Sequence, residues 1–214
     1  MKNNFIILFF LISVTIFSQK KVVKKFQTIT EEIEISTIGL DDFVLENATS
    51  DYIEITLFAE DPNEQHILYQ EENRKTKIEF FLEEMEHKDL VFRKYITKRL
   101  KRASAIIKIP KGKSVTILGE NINIESKSYK GDLTIFIEKG ILKLNKVLAN
   151  VFLEMYAGNV FAALQKTDIE VTSNIGKIKI DDKLVAQKYL QKEKNNQYNF
   201  KINSIKANIF LTTK

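Results

Sequence analysis

The sequence predicts an all-β protein, a short single-stranded right-handed β-solenoid with two strands in each rung of about 18 residues. Three observations predict it. A repeat runs through residues 133–186, a glycine recurs at one position of that repeat, and apolar residues recur at every second place within it.

Cut into blocks of eighteen, 133–186 reads LTIFIEKGILKLNKVLAN, VFLEMYAGNVFAALQKTD and IEVTSNIGKIKIDDKLVA. The first column holds Leu133, Val151 and Ile169, and the third holds Ile135, Leu153 and Val171. Columns ten and twelve hold Leu142, Val160 and Ile178, then Leu144, Ala162 and Ile180. Column eight is Gly140, Gly158 and Gly176, three of only seven glycines in the chain. Apolar residues two apart face the same way on a strand, so each block supplies two short inward-facing strands. A glycine just before the second strand fits a corner that needs a positive φ or close backbone approach. No block buries its own apolar face; stacking aligns the columns into a continuous core. An antiparallel sandwich of evenly spaced hairpins is the alternative that period-two patches leave open.

Upstream, Val115 and Ile117 occupy columns one and three of a further block, followed by Ile122 and Ile124, with Gly119 out of register. Ile33 and Ile35, Phe43 and Leu45, and Ile53 and Ile55 repeat the two-strand rhythm at variable spacing. Residues 61–104 read as an excursion from the solenoid, part strand and part short basic helix. Within it Phe92, Ile96, Leu100 and Ala103 share one helical face. After a polar stretch at 192–196, Phe200, Ile202, Ile205, Ala207, Ile209 and Leu211 predict two closing strands that cap the open edge.

The chain has 214 residues, which suits one domain, here 19–214. Residues 1–18 read as an export signal: Lys2, an uncharged and largely apolar run over 5–17, then Ser18 before Gln19, Lys20 and Lys21. That run is shorter than the roughly 20 residues a membrane-spanning helix needs. An uncleaved anchor is the alternative. The expected location is the periplasm, the cell surface or outside the cell. The absence of cysteine removes disulfides, thiolate metal sites and cysteine nucleophiles. A net charge of +5 does not suggest nucleic acid in an exported chain.

Catalytic motifs are missing. The isolated glycines match neither a phosphate loop nor a dinucleotide fingerprint, and no Gly-x-Ser-x-Gly occurs. His66 and His87 have no histidine partner at ligand spacing, and Asp41–Asp42 and Asp181–Asp182 read as turn carboxylates. The expectation is therefore no catalytic residue, no cofactor and no metal. Two features point to binding. Arg93, Lys94, Lys98, Arg99, Lys101 and Arg102 form a basic cluster suited to an anionic envelope component. Phe136, Phe152 and Phe161 fall in outward columns and make a candidate aromatic contact face.

The strand ending Ala105-Ile106-Ile107-Lys108-Ile109-Pro110-Lys111-Gly112, the following Val115-Thr116-Ile117 and the glycine-bearing rungs resemble the bacterial putative adhesin domain family, which includes the auto-transporter adhesin head domains. The resemblance spans roughly 30–212 and implies a β-solenoid without catalytic residues. These rungs are poorer in Gly, Ser and Asp than that family's. The expected function is a non-enzymatic exported envelope protein, an adhesin-like binding or assembly module whose partner is an anionic envelope component or another envelope protein. The alternatives are an enzyme acting on envelope polysaccharide and a scaffold subunit of a membrane complex.

Overall fold

Alternating runs rich in Ile, Val and Phe favour extended backbone with one buried face. The computed structural model describes residues 20–82 and 103–213. Apart from one 3-10 turn at Glu64–His66, every regular element among them is a strand. The first half holds β1 (Lys20–Gln27), β2 (Glu32–Ser36), β3 (Asp42–Asn47), β4 (Tyr52–Ala59), β5 (Ile67–Glu72), β6 (Lys75–Phe80), β7 (Ser104–Ile109), β8 (Ser114–Asn121) and β9 (Asn123–Lys127). The second holds β10 (Leu133–Val147), β11 (Val151–Leu164), β12 (Thr167–Ser173), β13 (Ile178–Ile180), β14 (Lys183–Val185), β15 (Lys188–Gln191) and β16 (Tyr198–Thr212). Together they make one 16-stranded sheet, nearly closed around a single core that runs from Phe26 to Leu211.

From β8 to β11 the eighteen-residue spacing is a hydrogen-bonding register. β10 and β11 pair in parallel with Leu133 opposite Val151, Gly140 opposite Gly158 and Leu142 opposite Val160. β8 and β9 pair with β10 at the same eighteen-residue offset, Val115 opposite Leu133 and Ile124 opposite Leu142. The inward columns are fully sequestered: Ile135, Leu142, Leu153 and Val160 are all 0% exposed. Burying each such side chain contributes about 1.5–3 kcal/mol.

At the corner of each layer the chains approach most closely. A Cβ on Gly140 (φ 151°) would run into the carbonyl of Ile122, and one on Gly158 (φ 134°) into the carbonyl of Gly140. Side-chain ladders tie the turns before the layers. Asn150 donates through its backbone N and its Nδ2 to Asp132 Oδ1 (3.1 and 3.0 Å), and Asn199 N donates to Asn150 Oδ1 (3.0 Å).

The layers do not stack in chain order. The third block, β12 and β13, does not pair with the second. β16 lies between them, with Val151, Phe200 and Ile169 consecutive across one row and Val160, Ile209 and Ile178 across another. The predicted closing pair is therefore one 15-residue strand in the interior of the stack, and the end is closed by β14 and β15, which pair antiparallel with β13 and β12. The other end has the same plan. β6 and β7 pair in parallel with the outer edges of β2 and β3, whose inner edges meet β8 and β9. β5 pairs antiparallel with β6, and β4 and β1 continue antiparallel from β7. Of the stretch 61–104, read as leaving the stack, β6 and the start of β7 thus belong to a layer. The basic helix expected there lies outside the described residues, as does the export signal.

Among the described residues β1 pairs with β4 alone, and its lysines Lys20, Lys21, Lys24 and Lys25 disfavour the addition of a further strand there.

Candidate functional site

A strand that buries every second residue presents the others outward, and parallel layers bring equal columns side by side. On the face formed by the second strand of each layer, one outward row reads Lys143 (β10), Phe161 (β11), Phe210 (β16) and Lys179 (β13). The Phe161 and Phe210 rings stack, with centroids 5.0 Å apart and planes 10° from parallel. Phe161 is 42% exposed. These residues line an open groove of about 350 Å³ together with Asn145, Thr212 and Asp182, the last in the turn after β13.

The three aromatic residues expected to share a face do not. Phe136 and Phe152 lie on the face built by the first strand of each layer, in edge contact at 5.9 Å. Phe161 is across the corner glycine, on the other face. Each block contributes a strand to both faces, so columns two and four cannot meet column eleven. Phe210 was the missed partner. Its signal lay in the likeness of Gly158-Asn159-Val160-Phe161 to Ala207-Asn208-Ile209-Phe210, whose offset of 49 is not a multiple of the repeat. The cluster Arg93, Lys94, Lys98, Arg99, Lys101 and Arg102 lies outside the described residues.

The turn carboxylates hold structure. Asp41 Oδ2 accepts from Ala103 N at 3.0 Å, and Asp42 Oδ1 accepts from Asn123 Nδ2 at 3.0 Å. Asp181 and Asp182 form the β13–β14 turn with φ of 46° and 64°, and Asp181 accepts from Thr213 N and Oγ1 at 2.9 and 2.6 Å. His66 Nδ1 accepts from Asn63 N at 3.1 Å as part of a cap; His87 is outside the described residues.

Glu54 is held below its usual range by hydrogen bonds from Lys108 and Lys25, and Asp168 by Asn196 Nδ2 and the Glu193 amide. Burial pushes Tyr129 well above an ordinary phenol, and its hydroxyl donates to the carbonyls of Lys113 (2.8 Å) and Pro110 (3.2 Å). Among the described residues, no group of three or more acidic or histidine side chains is placed to hold a metal ion, and no helix is long and apolar enough to cross a membrane.

These features define a class: an all-β protein built on one nearly closed sheet, with an open groove beside Phe161 and Phe210 that Lys143 and Lys179 flank. No family model and no curated protein matches the chain. Solved structures resemble it. The alignment to a putative cell adhesion protein from Clostridium sporogenes covers 92% of this chain and 100% of that one, at 11% identity and a TM-score of 0.55. That to a putative adhesin from Bacteroides fragilis covers 92% and 98%, at 10% identity and a TM-score of 0.29. At such identity the likeness to the Clostridium protein is one of fold.

Proposed function

We propose that this chain is a non-enzymatic, exported cell-envelope protein, a short right-handed β-solenoid whose outer surface binds or assembles in the manner of an adhesin module. The observation that carries this reading is the row Lys143, Phe161, Phe210 and Lys179 over an open groove. Those side chains add little to the core, yet a rigid ladder holds them in register. The eighteen-residue parallel offset supports the solenoid, and parallel crossovers are right-handed in nearly all sheets. The fold likeness to the Clostridium sporogenes protein supports an adhesin-like module. Export rests on residues 1–18, with 19–214 as the mature domain in the periplasm or at the cell surface.

The basic run at 93–102 gives a second contact with an anionic envelope component. Binding there weakens as salt rises, because screening shortens the reach of exposed charges. Charge reversal at Lys98, Arg99, Lys101 and Arg102 is expected to abolish that salt sensitivity; unchanged binding would remove this contact.

The reading is tested by fractionating cells, sequencing the mature N-terminus, and passing solubilised envelope over the immobilised protein. Expected are a cleaved chain in the envelope fraction and specific retention of an envelope component. A cytosolic, uncleaved chain that retains nothing would overturn it, as would turnover of envelope polysaccharide by the purified protein.

A further inference from the structure

We propose that the outer corner of the stack, where the first strand of each layer turns into the second, is the docking surface for the chain's own basic run. Phe92, Ile96 and Leu100 lie against Ile38, Phe136 and Tyr156, and Arg93 pairs with Glu138. The docking does not depend on what the run binds; it names the surface that holds the run while it meets an anionic partner.

The surface comes first. Ser36 stands opposite Leu118, Gly119 opposite Ile137 and Ile137 opposite Met155. Continued to the corner, that register sets Ile38, Glu120, Glu138 and Tyr156 in one row across four successive layers. Phe136, two residues before Glu138 on β10, faces the same way. Ile38, Phe136 and Tyr156 are 64%, 37% and 45% exposed, an apolar strip that stacking the core does not require. Neither glutamate has an ion-pair partner among the described residues.

The chain itself then names the occupant. Both ends of the stretch 83–102 are fixed at this corner, beside Ile38. Leu82 packs on the core within 3.3 Å of where a Cβ on Gly39 would stand. Ala103 is buried, and its backbone exchanges hydrogen bonds with Asp41, its N donating to Oδ2 (3.0 Å) and its O accepting from the Asp41 N (2.8 Å). Ala103 is also the last member of the apolar set Phe92, Ile96, Leu100 and Ala103, so that face enters the core where the corner strip begins.

Length and charge agree. From Leu100 back to Phe92 is about 12 Å at helical rise, and from Ile38 to Tyr156 is three ladder steps, about 14 Å. The eight residues 83–90 reach about 26 Å when extended, enough for the outward path. At about 100° per residue, Arg93 and Arg99 flank the apolar stripe, where the two glutamates wait. Lys94, Lys98, Lys101 and Arg102 fall on the opposite side, free for an anionic surface.

The chain has no cysteine, so a disulfide between two introduced thiols reports proximity without background. In the purified full chain, Phe92→Cys with Tyr156→Cys is expected to form a disulfide within one chain. It should form at least about tenfold faster than in Phe92→Cys with Leu190→Cys, whose second site is exposed on β15 beyond the far layers. Adding Glu138→Arg should slow it about fivefold, and Arg93→Glu on top should restore it. The substituted residues of the corner are solvent-facing, so folding survives. A reading free of thiols is trypsin cleavage within 93–102, expected to quicken about fivefold in Ile38→Asp at an unchanged thermal midpoint. Equal disulfide rates at the two sites, no rescue by the charge swap, or unchanged cleavage would each overturn the proposal. A disulfide joining two chains would overturn it by seating the run on a second copy. No envelope material is present in these measurements, so their failure would leave the binding-module reading standing.

Discussion

At Gly158 a single methyl group decides whether two layers can meet. Its φ of 134° is one that side chains rarely adopt, and an added Cβ would strike the carbonyl of Gly140. Gly112 offers the comparison, since its φ is 87° but nothing lies within 4 Å of the Cβ position. Gly112→Ala therefore costs only backbone strain, about 1 kcal/mol. Gly158→Ala adds a backbone collision that only a shift of the layer relieves, and is expected to cost about 2–4 kcal/mol. Urea unfolding of both variants measures the difference; equal losses would mean that the close approach does not dictate the glycine. Leu153, 0% exposed at the centre of the stack, gives the companion test. Leu153→Asp buries a carboxylate with no partner and should abolish cooperative unfolding. At this scale the sequence was readable wherever a residue type has one physical use. The glycine column and the inward Leu, Ile and Val columns announced themselves. Phe210 did not, because an outward aromatic next to two buried neighbours, Ile209 and Leu211, reads like any alternating strand residue until its neighbouring strand is known.

Between elements, the outer surface at the first end is held by a run of alternating charge across adjacent strands. Lys25 on β1 and Lys108 on β7 both reach Glu54 on β4, at 2.5 and 2.7 Å, and Lys127 on β9 reaches Glu46 on β3 at 2.8 Å. The antiparallel pairs at that end have no sequence repeat to fix their register, so these cross-strand ion pairs favour one alignment over its slips. Hydrogen bonds from Lys108 and then Lys25 lower the pKa of Glu54 from its ordinary 4.5. A carboxyl depressed in the folded state contributes stability above its unfolded pKa. That contribution drains away as pH falls through the folded value. Lys108 is shifted the opposite way, upward from 10.5 by the same bond, so its share is present below that value and is lost in strong alkali. The expectation is that the thermal midpoint drops as pH falls below about 5, and that Glu54→Gln starts lower at neutral pH but loses less on acidification. An identical acid slope in the variant would show that the ladder plays no part in stability. None of this was visible beforehand, since the partners lie 29 to 81 residues apart. The β8-to-β11 ladders were legible because their partners sit one constant repeat away.

For the molecule as a whole, the consequential feature is that both ends are interleaved. β7 enters between β3 and β4, and β16 enters between β11 and β12, in each case after the strands that flank it have been made. An ordinary stack grows by adding each layer to the last, and loses only its final layer when the terminus is trimmed. Here the final strand supplies the rows Phe200, Ile202, Ile209 and Leu211 to two neighbours at once, and all four are at most 2% exposed. Without it β11 and β12 each lose a partner edge and an apolar face, and the closing hairpins have no layer to cap. Deleting residues 198–214 is therefore expected to abolish cooperative folding and to leave an aggregation-prone chain, whereas a merely capping strand would leave a folded protein a few kcal/mol weaker. A synthetic peptide covering 198–213, added in trans during refolding, should restore the native circular dichroism spectrum by filling the gap between β11 and β12. Because that insertion closes a long loop, refolding of the intact chain should be slow, in the range of milliseconds to seconds typical of non-local β pairing. A truncated chain that unfolds cooperatively with a sharp midpoint would place β16 at the margin of the fold rather than in its interior.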